Sequence, residues 1–281
     1  MRGKSREERI EGGEGGAWRI AAVFERARTE NRAALMPYLP LGYPTPDTSL
    51  ALVEAVVAGG ADMLELGVPF SDPLADGPTI QHATHVALQQ GVTVARCLEM
   101  ARELRRRGIT VPFIFMGYYN PILAYGEEAF CRECHNVGVD GLIVPDLPPE
   151  EGETLEVICR RHGLALIYLL APTSTPDRIR LVSERSQGFV YLVSVTGITG
   201  ARDHLPPDLA AFVGRVRVVT GKPLAVGFGI STPEHARQVA ALADGVIVGS
   251  ALVRLAAEAD GRAKVKAFVV GLRRAVSARG E

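Results

Sequence analysis

The stretch ADMLELGVPFSDPLADGPTI, residues 61–80, decides how the chain is read. Its first seven residues alternate as a buried strand does, so Leu64 and Leu66 share one face while Met63 and Glu65 share the other. The strand then ends on a loop stiffened by Pro69, Pro73 and Pro78, and that loop delivers Asp72 and Asp76. Three carboxylates within twelve residues are more than a connection requires. Their meaning depends on where the rest of the chain puts this strand end.

Working outward, short apolar runs alternate with amphipathic segments from residue 34 onward. The strand candidates are 34–42, 61–67, 111–117, 139–146, 164–170, 188–194, 222–229 and 244–250, with helical patterns such as TPDTSLALVEAVVAGG and TVARCLEMARELRRRG between them. Thr45, Thr175 and Thr232 each precede a proline suited to a first helical turn, and Gly60, Gly108 and Gly138 stand where helices should stop. About eight strand-then-helix units without a break in composition predict one closed (β/α)₈ TIM barrel, with an extra N-terminal helix ahead of it. An open doubly wound sheet ranks second, because no GxGxxG follows the first strand.

The composition excludes several function classes. With 281 residues, 47% of them hydrophobic, the chain can bury a large core. Thirty-one basic against thirty-two acidic side chains give no electrostatic case for nucleic acid or an anionic membrane. The longest apolar run, 164–172, is too short to span a bilayer. Residues 1–16 mix four basic with four acidic side chains and have no apolar core, so they read as a disordered tail and not as an export signal. The expectation is a cytoplasmic protein with a catalytic domain over 17–281. Cys131, Cys134 and Cys159 fall in helical patterns and read as reduced, packed thiols, although CRECH at 131–135 spells a haem-attachment motif.

In such a barrel the chemistry sits at the C-terminal ends of the strands and in the loops that follow. There Glu65 points into the mouth, where partial desolvation raises a carboxyl pKa and suits it to moving protons both ways. The alternative for Glu65 is a structural acid paired with an arginine. Asp76 is brought back toward the same mouth, while Asp-Pro and Asp-Gly are also common turn pairs, so both aspartates keep a turn reading beside the functional one. GFGIS (227–231) and VGS (248–250) end the last two strands and precede helices, where bare backbone N–H groups form a phosphate site. VTGITG (195–200) reads as a lid, and Gly200 would add another N–H.

None of the four lysines lies at a C-terminal strand end, which argues against a Schiff-base aldolase. The six histidines fall on helices or loops and do not converge, so no metal is expected. What remains is cofactor-free acid–base chemistry on a phosphorylated substrate. A related phosphate-handling isomerase or synthase would have no reason to carry the whole 65–80 block, and a non-catalytic regulatory subunit would not have kept both Glu65 and Asp76.

ELGVPFSDPLADGPTIQ, followed in order by MGYYNP, VPDLP, GFGIS and VGSALV, resembles the tryptophan synthase alpha subunit family over about residues 18–275. The resemblance implies cleavage of indole-3-glycerol phosphate to indole and glyceraldehyde 3-phosphate. It further implies Glu65 as acid/base, Asp76 at the indole N–H, Tyr191, Tyr118 and Phe228 around the substrate, and the backbone of Gly200, Gly229, Gly249 and Ser250 on the phosphate. A beta subunit would complete an alpha2beta2 assembly and would carry the pyridoxal phosphate, leaving this chain without a cofactor. An apolar rim of Val68, Pro69, Phe70, Leu74 and the YYNPIL segment at 118–123 would suit that partner.

Overall fold

The computed structural model describes residues 15–193, 207–227 and 229–277. Of the tail expected over 1–16, residues 1–14 lie outside them while Gly16 already begins a helix, and the segment expected as a lid, Gly200 and Phe228 also lie outside. An N-terminal helix α1 (Gly16–Thr29) precedes β1 (Ala34–Pro40), α2 (Pro46–Ala58) and β2 (Leu64–Gly67). The chain continues through α3 (Pro78–Gln89), α4 (Val94–Arg106), β3 (Phe113–Met116), α5 (Tyr119–Tyr125), α6 (Glu127–Asn136) and β4 (Gly141–Ile143). Next come α7 (Glu153–Arg161), β5 (Ala165–Ile167), β6 (Leu169–Leu170), α8 (Pro176–Arg185), β7 (Val190–Val193) and α9 (Leu209–Arg217). The described residues end with β8 (Leu224–Gly227), α10 (Pro233–Ala240), β9 (Gly245–Val248), α11 (Ser250–Ala256) and α12 (Gly261–Val276).

All strand pairs are parallel, in the order β5-β4-β3-β2-β1-β9-β8-β7-β6. The two ends of that order are one segment. Only Tyr168 separates β5 from β6, so a single fifth strand pairs with β4 by its first half and with β7 by its second, and the Tyr191 amide donates to the Tyr168 carbonyl at 3.1 Å. That junction closes the sheet into an eight-stranded barrel and removes the open-sheet alternative. The helix signals hold as well. Thr45, Thr175 and Thr232 each cap a helix through the side-chain oxygen with proline in the first turn, and Gly60, Gly108 and Gly138 take positive φ just past helix ends.

The N-terminal end of the barrel is held by an acid placed just ahead of a strand, a device used three times. Asp62 accepts from the Leu35 amide, Asp140 from that of Phe113 and Asp244 from that of Leu224, in each case the start of a neighbouring strand. Each acid also takes arginines from the helical layer. Asp62 binds Arg32 through two bonds of 2.7 and 2.8 Å, Arg273 of α12 at 2.9 Å and Arg26 of α1 at 3.3 Å, joining both terminal helices to the sheet. Asp140 takes Arg19 of α1 and Arg105 of α4.

Asp62 and Arg32 are both buried, so removing the acid leaves the guanidinium with only exposed Glu30, at 2.6 Å, as counter-charge. Asp62→Ala is expected to lower the unfolding free energy by about 3–5 kcal/mol, read from urea denaturation. Asp244→Ala, at a half-exposed acid, should cost on the order of 1–2 kcal/mol. Equal effects of the two substitutions would contradict the assignment of Asp62 as the main anchor.

Candidate active site

The register of the strands builds the site. Glu65 of β2 lies opposite Tyr38 of β1 on one side and Ile114 of β3 on the other, so these side chains share the inner face. The Met36–Ile247 and Gly67–Met116 pairs continue the same layers. Glu65 sits at the base of a cleft of about 510 Å³, counted to its open mouth, whose wall includes Tyr38, Asp76, Ile80, Met116, Tyr191 and Ile247. Gly229, Gly249 and Ser250 line the same cleft.

Two glycines make room for the two tyrosines beside Glu65. A Cβ on Gly67 would lie 2.3 Å from the Tyr38 hydroxyl, and one on Gly227 would lie 2.2 Å from the Tyr191 hydroxyl. Neither contact is possible, so these strand ends must be bare for the aromatic rings to cross them. Burial pushes both tyrosine pKa values well up, and the nearby carboxyls add to the effect, so the two phenols stay protonated. Tyr38 was not anticipated from sequence. The signal was present in ALMPYLP, where it is the one side chain with a polar tip in a buried strand.

Glu65 is 1% exposed, and among the described residues neither carboxyl oxygen has a hydrogen-bond partner. No arginine among the described residues pairs with it. Burial first, and the charge of Asp76 second, push its pKa up to about 8. Asp76 is half-buried, and burial raises its pKa to about 6 while the Tyr118 hydroxyl, donating to it at 3.1 Å, pulls it back down. Two neighbouring carboxyls in one apolar cleft do not both ionise readily. Tyr118 decides between them by favouring charge on Asp76, so the proton stays on Glu65.

Tyr118 does not line the cleft. Its hydroxyl instead accepts from the Ala75 amide at 3.0 Å, tying the β2–α3 loop that carries Asp76 to the segment between β3 and α5. Asp72 is exposed, its carbonyl closing a turn with the Leu74 amide, so it takes the turn role and stays out of the cleft.

The two glycine-rich strand ends differ from each other. Gly249 caps α11, whose first intrahelical bond runs from the Val253 amide to the Gly249 carbonyl, leaving the N–H groups of Ser250, Ala251 and Leu252 without helical acceptors. GFGIS does not open directly into a helix. α10 starts only at Pro233, which has no N–H, and the Thr232 hydroxyl already accepts from the His235 amide. Gly229, at φ +79, therefore offers loop backbone and not a helix N-terminus. Among the described residues no cluster of three or more His, Cys, Asp or Glu has metal-binding geometry, and no helix is long and apolar enough to cross a membrane.

The raised Glu65 pKa has a consequence for stability. The native state holds this proton up to about pH 8, whereas an unfolded glutamate loses it near 4.5. The contribution is therefore complete below the unfolded pKa, declines as pH rises toward 8 and is gone above it. Glu65→Gln, which fixes the neutral form, is expected to be increasingly more stable than the wild type between those two pH values and by a constant margin beyond. Parallel stability curves from denaturant titrations across that range would contradict a buried neutral Glu65.

Comparison with known proteins places this geometry in a family. The family model described as Tryptophan synthase alpha chain matches residues 24–276. The tryptophan synthase alpha chain of Dehalococcoides mccartyi is 49% identical over 258 residues, covering 92% of this chain and 99% of that one. That of Chloroflexus aggregans is 52% identical over 235 residues, covering 84% and 88%. Among solved structures, a chain of Mycobacterium tuberculosis tryptophan synthase superposes with a TM-score of 0.86 at 43% identity, covering 92% of this chain and 98% of that one. With its closed barrel, its Glu65–Asp76 cleft and these matches over nearly its full described length, the chain belongs to the tryptophan synthase alpha chain family.

Proposed function

We propose that Glu65 and Asp76 perform on this chain the reaction of its family, the cleavage of indole-3-glycerol phosphate to indole and glyceraldehyde 3-phosphate in tryptophan biosynthesis. The observation that carries the assignment is a buried glutamic acid whose two oxygens are unbonded and which faces an open cleft. Breaking the carbon–carbon bond needs a proton delivered to indole C3, which makes the ring a cationic electron sink, and a proton removed from the adjacent glycerol hydroxyl. A carboxyl with a pKa of about 8 is protonated at neutral pH, so it can give the first proton and then, as carboxylate, take the second. Asp76, kept anionic by Tyr118, stabilises the cation at the ring N–H. Both proton transfers and the charge stabilisation are supplied by side chains, so the step is proposed to run without a cofactor.

The apolar wall of Ile80, Met116 and Ile247, with the rings of Tyr38 and Tyr191, suits the indole. The substrate phosphate is assigned to the opposite part of the cleft, on the Gly249 and Ser250 end of α11 and the Gly229 loop. Phe228 and Gly200, outside the described residues, are carried as further contacts.

The family's alpha chain works with a beta subunit, and an alpha2beta2 assembly in the cytoplasm is the proposed setting, with pyridoxal phosphate on the beta subunit. The docking face is proposed at the mouth of the barrel, where Leu74 is 90% exposed and Leu123 is 54% exposed. The rim is narrower than the sequence suggests, because Pro69, Tyr118 and Ile122 are buried and Val68 and Phe70 are half-buried. A mechanical link to the chemistry exists. The Tyr118 ring packs on Phe70 at 5.4 Å between centroids while its hydroxyl holds both Ala75 and Asp76. Through these contacts a partner pressing on the loop is proposed to act on the ionised carboxylate.

One assay tests the whole assignment, namely indole release from indole-3-glycerol phosphate with and without a cognate beta subunit. Glu65→Gln is expected to fold and to lose about 10²- to 10⁴-fold in turnover, and the beta subunit is expected to raise the wild-type rate. Near-normal turnover by folded Glu65→Gln would end the mechanism, and an unchanged rate with the beta subunit would end the proposed coupling through the loop.

A further inference from the structure

All four cysteines are buried in the helical layer: Cys97 on α4, Cys131 and Cys134 on α6, and Cys159 on α7. None belongs to the cleft. The Sγ atoms of Cys131 and Cys159, 28 residues apart in sequence, lie 3.8 Å apart, close to van der Waals contact, between side-by-side helices. Both residues are wholly buried. Two aliphatic side chains would fill this position equally well, but two thiols facing each other at this distance can also be joined if the sulfurs close the remaining gap.

We propose that Cys131 and Cys159 are a modification site for a small peroxide, forming a disulfide that staples α6 to α7 on the outside of the barrel. The step balances. One sulfur attacks a peroxide oxygen, the O–O bond breaks, and a sulfenic acid and one water result; the second thiol then displaces the hydroxyl, forming the S–S bond and releasing a second water. Two thiols are oxidised and one peroxide is reduced.

The surroundings favour this pair over the others. Cys131 and Cys134 stand three residues apart on one helix, so joining them would work against that helix's own hydrogen-bond ladder. Burial raises the thiol pKa of Cys97 and Cys134, and the Cys131 contact followed by burial raises that of Cys159. Cys131 and Cys159 are wholly buried, which closes the pair to bulky reagents, and the raised pKa of Cys159 makes reaction depend on local opening that admits a small oxidant. Closing a loop of this length constrains the unfolded chain, and a rise in Tm of about 5 °C is expected.

The test treats the native full chain with hydrogen peroxide, quenches, alkylates in denaturant and digests without reductant. The expected product is one peptide pair linking Cys131 to Cys159, lighter than the two reduced peptides by two hydrogen atoms, with Cys97 and Cys134 alkylated. Dithiothreitol should reverse it. Cys97→Ser should retain the bridge, and Cys159→Ser, shown to be folded by circular dichroism, should lose it. Four alkylated cysteines after peroxide, a bridge using Cys97 or Cys134, or sulfinic acid at Cys131 or Cys159 would each overturn the proposal.

Discussion

A carboxyl group inside an apolar barrel, with nothing bonded to either oxygen, stays there only if it keeps its proton. That constraint on Glu65 organises the upper half of the molecule. The neighbouring glycines, Gly67 and Gly227, let Tyr38 and Tyr191 close over the barrel interior, so water is displaced around Glu65 by rings and not by charged groups. Asp76 arrives from a loop and not from a strand, and Tyr118 stabilises its anion. The result is two chemically similar groups held in different protonation states by their surroundings, which is what a reaction with two opposed proton transfers requires.

The opposite end of the barrel uses the same side-chain chemistry for the opposite purpose. Asp62 and Asp140 are as buried as Glu65, but each is met by arginines and by a strand amide. Those partners satisfy the charge and lock helices onto strands. A paired buried acid joins helices to strands and is costly to remove, whereas the unpaired one at the mouth gives up stability at neutral pH to remain a proton donor. The separation of the two ends explains how a fold with a demanding site stays anchored, since the anchors and the cleft share strands but no side chains.

Much of this was legible in the sequence, because period-two alternation and helix capping are local. All eight strand positions, the Thr-Pro helix starts and the inward face of Glu65 follow from neighbours a few residues away. The features that were not legible depend on register between strands distant in sequence. Tyr38 meets Glu65 only through the β1–β2 register, and the glycines opposite the two tyrosines have meaning only once the rings are placed across them. GFGIS looked like a second helix N-terminus because its glycines follow a strand. The Thr232-Pro233 start, itself legible, already sets that helix four residues beyond Gly229, and the structure shows the consequence, that the glycines remain loop backbone. Asp76 was favoured over Asp72 for the mouth already in the sequence, but its hydrogen bond from Tyr118, forty-two residues further on, was not legible there.

The central claim is that Glu65 is a neutral acid at physiological pH because it is buried without a partner. Infrared difference spectra of the wild type against Glu65→Gln, recorded across a pH titration, measure this directly through the carbonyl stretch of a protonated carboxylic acid. The account predicts that this band persists through neutral pH and disappears with a midpoint of about 8. A band that vanishes near the ordinary glutamate value of 4.5 would show Glu65 to be ionised in the resting protein and would contradict the account.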